Sequence, residues 1–186
     1  MLGFAMCGSF CTHAAALREL RVLIGAGYEI QPIMSETVYR TDTRFGRASE
    51  LREQIETLCA RPIIHTVVGA EPLGPSLVLD ALVICPCTGN TIAKIANGIT
   101  DTSVTMAAKA HLRSDRPLVL SLASNDALSA NLRNIATLLS RKHVYFVPMH
   151  QDDPEKKPHS LVADFSLLMP TLDAAFAGRQ FRKLFL

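Results

Sequence analysis

A chain of 186 residues, 48% hydrophobic and 19% charged, has the length and composition of one globular domain with its own core. Its 19 basic and 17 acidic residues leave a formal net charge of +2, which makes no electrostatic case for nucleic acid. No apolar run approaches the roughly 18 residues of a membrane span, so no membrane partner is expected.

Five cysteines, an odd number and scattered, point to reduced thiols in a cytoplasm. Neither Cys7 and Cys11 nor Cys85 and Cys87 has zinc-site spacing, so no metal is expected.

Leu2 to Met6 is a short apolar strand; it lacks the basic flank of a signal peptide. Gly8 to Thr12 is a turn. His13 to Ala26 is a helix with Leu17, Leu20, Val22 and Leu23 inside, and Gly27 caps it. Tyr28 to Met34 is a strand that ends at Ser35-Glu36-Thr37. Ala48 to Cys59 is a helix, and Ile63 to Val67 a short strand. Leu79 to Cys85 reads as a buried strand. The next helix has Ile92, Ile95 and Ala96 at i, i+3, i+4 spacing. Val104 to Leu112 is helical, and Pro117 to Leu122 is a strand with a polar turn, Ser124-Asn125-Asp126, behind it. Asn131 to Arg141 is a helix and His143 to Pro148 a late strand. This alternation predicts a single α/β domain over residues 1–186, a doubly wound parallel sheet with a peripheral tail from about 177.

The run Pro86-Cys87-Thr88-Gly89-Asn90-Thr91 sits where a buried strand hands over to a helix. Unpaired N–H groups of the helix start converge there. Thr88, Asn90 and Thr91 add side-chain donors, and Gly89 allows close backbone approach. An ordinary turn with an N-cap threonine would look the same. Three other polar turns, Gly8 to Thr12, Ser35 to Thr37 and Ser124 to Asp126, also follow strands. In a doubly wound sheet all four lie on one edge and can line one crevice. None has the lysine of a P-loop, and the first lacks the glycines of a dinucleotide fingerprint. Neutral donors near helix starts suit one phosphate and a flat polar ring, as in a mononucleotide such as FMN.

The segment ALVICPCTGNTIAKIANGITDTSVT, residues 81–105, resembles the signature of the homo-oligomeric flavin-containing Cys decarboxylase family. The runs GFAMCGSFCTH, IIHTVVGAEPLGP, SNDALSANLRNIATLL and YFVPMHQDDPEKKPHSLVADF extend the likeness from about Gly3 to Phe176. They resemble a branch of the family found in sporulating bacteria. The resemblance implies a Rossmann-like, flavodoxin-type fold, FMN at subunit interfaces, and a trimer or a multiple of it. For this branch it implies a partner subunit that looks like a nicotinamide-dinucleotide-binding dehydrogenase. The implied reaction is oxidation of a small dicarboxylate, a dihydropyridine or its hydroxylated precursor, to pyridine-2,6-dicarboxylate in the mother-cell cytoplasm. Two alternatives are a non-catalytic accessory subunit and an FMN-dependent decarboxylase or prenyltransferase relative.

Carried over by motif, the flavin phosphate region falls on Gly8, Ser9, Phe10 and Thr12, with Ser35 as a further phosphate donor. Thr88, Gly89, Asn90 and Thr91 fall on phosphate, ribityl or ring edge, with Ser124 beside them. Asn125 occupies the place of an asparagine that holds a substrate carboxylate. The surrounding SLASND run departs from the family's Pro-Ala-Met-Asn, so only Asn125 transfers. Pro72 stands where the decarboxylases carry their essential histidine, and proline has no proton to give or take. His65 is the substitute candidate; a histidine satisfied at a strand end is the plainer reading.

Gln151 to Pro158 is highly charged and Pro-bounded. It reads as a solvated loop, or as a lid or partner interface. Lys94, Lys109, Arg113 and Arg116 are candidates to meet a dicarboxylate. Met106, Ala107, Ala110 and Leu112 form a small apolar face expected at an oligomer contact.

Overall fold

Five consecutive buried residues, Leu2–Met6, form β1, which pairs in parallel with a strand on each side. The computed structural model describes residues 1–74 and 76–186; Pro75, which closes the quoted run IIHTVVGAEPLGP, lies outside the described residues. On one side of β1 lies β2, Ile30–Met34, with Leu2 opposite Ile30 and Met6 opposite Met34. On the other lies β3, Ala81–Cys87, with Ala5 opposite Ile84. Then come β4, Leu118–Ser124, and β5, Val144–Phe146, both parallel to their neighbours. The parallel order β2-β1-β3-β4-β5 is the flavodoxin-type arrangement that the alternation predicts. A hairpin of β6, Met149–His150, and β7, Leu161–Ala163, extends it: β7 runs antiparallel to the end of β4, with Ala123 opposite Val162.

Helices cover both faces, and this is why the strands are apolar without alternation. On one face are α1, His13–Gly25; α3, Ala48–Cys59; and α8, Leu168–Phe176. Their Leu17, Leu20, Ile55, Leu168 and Leu172 pack with Phe4, Val83 and Val119. On the other are α4, Val67–Ala70; α5, Gly89–Ala96; α6, Ser103–Leu112; and α7, Leu132–Leu139. There Ile92, Ile95, Val104, Ile135 and Leu138 pack with Ala5, Leu82, Ile84 and Leu120. A short α2, Glu36–Arg40, follows β2.

The differences from expectation have local causes. Of the strand expected over Ile63–Val67, only Ile64 makes a bridge, to Ile33. Thr66 ends it, because its Oγ1 accepts from Gly69 N–H at 3.0 Å and starts α4. β3 runs two residues further than expected, since Cys87 pairs with Leu122 after a register shift. The late strand divides into β5 and β6 across Val147-Pro148, where proline cannot donate to the ladder. Helix α8 lies outside the predicted elements; Pro170 interrupts its pattern but sits in the first turn, where no N–H is needed. The small face of α6 is not free for a neighbour: Ala107 and Ala110 belong to the chain's own core. The C-terminus returns to the sheet, where Leu186 N–H donates to Met149 O at 3.0 Å.

Candidate functional site

β1 connects to β2 on one side, and β3 lies on its other side, so the ends of β1 and β3 form the switch point of the sheet. A crevice of about 490 Å³ opens there. Its floor is Gly8, Ser9 and a 3₁₀ turn, Phe10–Thr12, after β1, with Thr88, Gly89 and Asn90 after β3. The turn after β4, Ser124, Asn125 and Asp126, closes one side.

Each wall is built by short-range bonds. Thr12 Oγ1 donates to Ser9 O at 2.8 Å and tightens the first turn. Buried His13 puts Nε2 2.9 Å from Cys7 O, which makes Nε2 the protonated nitrogen; burial lowers its pKa. Thr88 is the N-cap of α5 and accepts from Thr91 N–H at 3.2 Å. Thr91 is buried, its hydroxyl 2.9 Å from that of Thr88 and donating to the Cys7 sulfur at 3.3 Å. Burial pushes the Cys7 thiol up to about 11, so it stays protonated. The first intrahelical acceptance in α5 is from Ile92 N–H to Thr88 O. The N–H groups of Gly89 and Asn90 therefore precede the ladder and face the crevice end of α5.

Gly89 has a packing reason beside the close approach that the sequence suggests. A Cβ there would lie 2.3 Å from Ser124 Oγ, 2.6 Å from Asn131 Nδ2 and 2.7 Å from Asp126 Oδ1. It is a contact between α5 and a polar cluster as well as part of the crevice lining. In that cluster Ser124 Oγ donates to Asp126 Oδ1, and Asn131 Nδ2 donates to Asp126 Oδ2 at 2.8 Å. The Ser124 bond above all holds the Asp126 carboxyl below its usual range. Asn134 continues the chain to Asn131 at 2.8 Å.

Two loops reach the crevice from opposite ends of the sheet order. Arg44 and Phe45 come from the loop between α2 and α3, beside β2. Asp152 and Lys157 come from the loop between β6 and β7, and their ion pair measures 2.7 Å. A second, more apolar chamber of about 400 Å³ adjoins, sharing Phe10, Cys11 and Phe45 with the crevice and running back to Leu17, Val38 and Leu51.

Gly8, Ser9, Phe10, Thr12, Thr88, Gly89, Asn90, Ser124 and Asn125 thus come together. Thr91 lies behind them, turned towards Cys7. Ser35 is the N-cap of α2, accepting from Val38 N–H at 3.4 Å, and is not among the residues that line the crevice. His65 stands apart. Its ring stacks on Tyr39, centroids 3.6 Å apart and planes within 4°, and Arg52 covers the other face of that tyrosine. The cations read from the sequence also lie elsewhere: Lys94 pairs with Asp101 at 2.8 Å and Arg116 with Asp80 at 3.1 Å. The sequence reading missed Arg44 and Phe45, which no motif marks. It read the loop of Asp152 and Lys157 as a solvated loop, or as a lid or partner interface, and did not assign either residue to the site. Among the described residues no group of three or more His, Cys, Asp or Glu is placed to hold a metal ion, and no helix is long and apolar enough to cross a membrane.

A model of the flavoprotein family matches residues 2–165. The B subunit of dipicolinate synthase from Bacillus subtilis (strain 168) is 44% identical over 183 residues, covering 98% of this chain and 92% of that protein. The crystal structure of the B subunit of dipicolinate synthase from Bacillus halodurans superposes with a TM-score of 0.91 at 42% identity, covering 100% of this chain and 95% of the other. That of SpaF, an FMN-dependent cysteine decarboxylase, superposes with a TM-score of 0.66 at 25% identity, covering 94% of this chain and 95% of the other.

Proposed function

The chain belongs to the flavoprotein family, and we propose that it works as the B subunit of a dipicolinate synthase, binding FMN in the crevice between β1, β3 and β4. With a dinucleotide-binding A subunit it oxidises dihydrodipicolinate, or its hydroxylated precursor, to pyridine-2,6-dicarboxylate in the mother cell of a sporulating bacterium. The observation that carries this reading is the 44% identity over 98% of the chain, joined to a crevice rich in donors at the switch point.

The residues fit a mononucleotide. The free N–H groups of Gly89 and Asn90, with the hydroxyl of Ser9, suit a phosphate, while Thr12 and Thr88, whose hydroxyl protons serve Ser9 O and Thr91, can accept from a polyol. Phe10 and Phe45 offer apolar surface to a ring. Bound there, FMN supplies a two-electron acceptor for the hydride that a dihydropyridine loses on becoming aromatic. Asn125, exposed at the tip of its turn, donates to a substrate carboxylate. His65 stacks on Tyr39 and is not among the residues that line the crevice, so in this reading the proton is taken by water or by a group of the A subunit. Thr91 and Ser35 act through the helix starts they cap or brace.

A second reading has one observation behind it. Among the described residues no histidine lines the crevice, and its carboxylates are held, Asp126 by Ser124 and Asn131 and Asp152 by Lys157. In that reading the chain stabilises the A subunit and carries out no chemistry.

One experiment separates the two. The chain is purified alone and with an A subunit, its visible spectrum recorded, and product followed by ultraviolet absorption. Flavin bands, and product only when both subunits are present, are the expected result; product at full rate from a flavin-free chain would leave only the accessory role. Asn125→Ala should slow the reaction with FMN still bound.

A further inference from the structure

We propose that Arg44 and Lys157 take the two carboxylates of a flat dicarboxylate lying across the crevice, and that Asp152 holds the Lys157 ammonium until that ligand arrives. This rests on the dicarboxylate reading above and names the groups that would select such a substrate.

Arg44 and Lys157 are the two cations among the described residues that line the crevice. They arrive from opposite ends of the sheet, Arg44 beside β2 and Lys157 beside β7. Two carboxylates held apart on a rigid ring can each take a cation of their own, and two cations that reach the crevice on separate loops offer one to each. Neither cation is committed to the core. Arg44 makes no ion pair among the described residues; its guanidinium lies 4.9 Å from the centre of the Phe45 ring. Stacking on an aromatic face leaves the planar edge of the guanidinium, with its N–H fork, free for a carboxylate. Lys157 has one partner, the Asp152 carboxylate, at 2.7 Å. Both members are partly open to solvent, with side chains 48% and 29% exposed, so the pair exchanges readily for a better-placed anion.

The two other groups in the crevice that could interfere do not. Asp126 spends its oxygens on Ser124 and Asn131. Asn125 is neutral and can add a donor between the two cations. With Asp152 and Asp126 opposing Arg44 and Lys157 the lining is neutral overall, so a dianion gains there only if it displaces Asp152. That makes Asp152 a competitor, and removing its charge should help the ligand.

The test is calorimetric titration of the full-length chain with pyridine-2,6-dicarboxylate and, separately, pyridine-2-carboxylate and FMN. The dicarboxylate should bind about tenfold or more tighter than the monocarboxylate. Arg44→Gln and Lys157→Gln should each weaken dicarboxylate binding about ten- to hundredfold and leave FMN uptake unchanged. Asp152→Asn should tighten the dicarboxylate. The proposal is overturned if both cation variants bind the dicarboxylate like the parent, or if they lose FMN instead, which would assign the cations to the flavin phosphate. Weaker binding by Asp152→Asn would make that residue a loop brace and not a place-holder. If product still forms with the A subunit and neither cation variant changes KM, the pair is wrong and the dipicolinate reading stands. If the parent chain neither binds the dicarboxylate nor supports product, both fall.

Discussion

At the scale of single residues, Gly89 shows what a motif glycine can be for. Its helical φ needs no glycine, and alanine would raise the helix propensity of α5 by up to about 1 kcal/mol. Yet the added Cβ would meet Ser124, Asn131 and Asp126 at 2.3, 2.6 and 2.7 Å. Overpacking of this kind costs about 1–3 kcal/mol, so the clash wins. Gly89→Ala should lower the denaturant midpoint without changing the slope, and a midpoint at or above the parent's would show that the cluster yields freely. The cysteines give a second prediction. Burial raises the thiol of Cys7 to about 11, that of Cys85 to about 12 and that of Cys87 well above its usual value. A thiol reagent added to the native protein should modify exposed Cys11 first, while these three wait for unfolding.

Among elements, the crevice depends on how α5 and α7 are held together. A chain of side-chain bonds runs from Asp126 through Asn131 to Asn134, and on to Asn97 at the end of α5, at 3.4 Å. Removing Asn131 would leave Asn134 without an acceptor for its bond and Asp126 with one donor fewer. We expect Asn131→Ala to cost about 1–3 kcal/mol of stability. The Asp126 pKa should also rise towards the usual aspartate value, measurable by NMR titration. Across the sheet edge, Glu36 of α2 accepts from Ser103 N–H at 3.0 Å, so a carboxylate already sits at the start of α6. At the α5 start the nearest carboxylate, Asp126, is held by Ser124 and Asn131.

For the whole molecule, two buried histidines set the response to acid. Burial lowers the pKa of His13 and of His111 from the usual 6.5. His111 Nε2 faces Pro117 O at 2.8 Å, and its Nδ1 is buried without a partner. As pH falls below about 6.5 the unfolded chain takes up protons that the folded chain refuses, so stability falls with pH from there down to the folded pKa values. Thermal unfolding should therefore show a lower midpoint at pH 5.5 than at pH 8, and His111→Gln should flatten part of the slope. We also expect a homo-oligomer, a trimer or a multiple of it. The crevice is open, and Val68 is 77% and Phe45 54% exposed. The contact must use such side chains and not Ala107 or Ala110, which the core has taken. A monomer by light scattering at tens of micromolar would contradict this.

The strands and helices that bury one continuous apolar face were legible from periodicity alone: β1, α1, α3 and α5 through α7 lie close to where spacing predicts them. The polar turns after β1, β3 and β4 were legible too, because a parallel sheet puts every strand C-terminus on one edge. Local pattern cannot say which side chains those turns spend on themselves. Ser35 and Thr91 are donors by type, but one caps α2 and the other braces Cys7. His65 is a base by type, but the fold stacks it on Tyr39 away from Asn125. Arg44 and Lys157 stand 113 residues apart in the sequence (157 less 44), and nothing local pairs them. Only the closing of the sheet, which brings loops from its opposite ends to one crevice, sets them to face the same space.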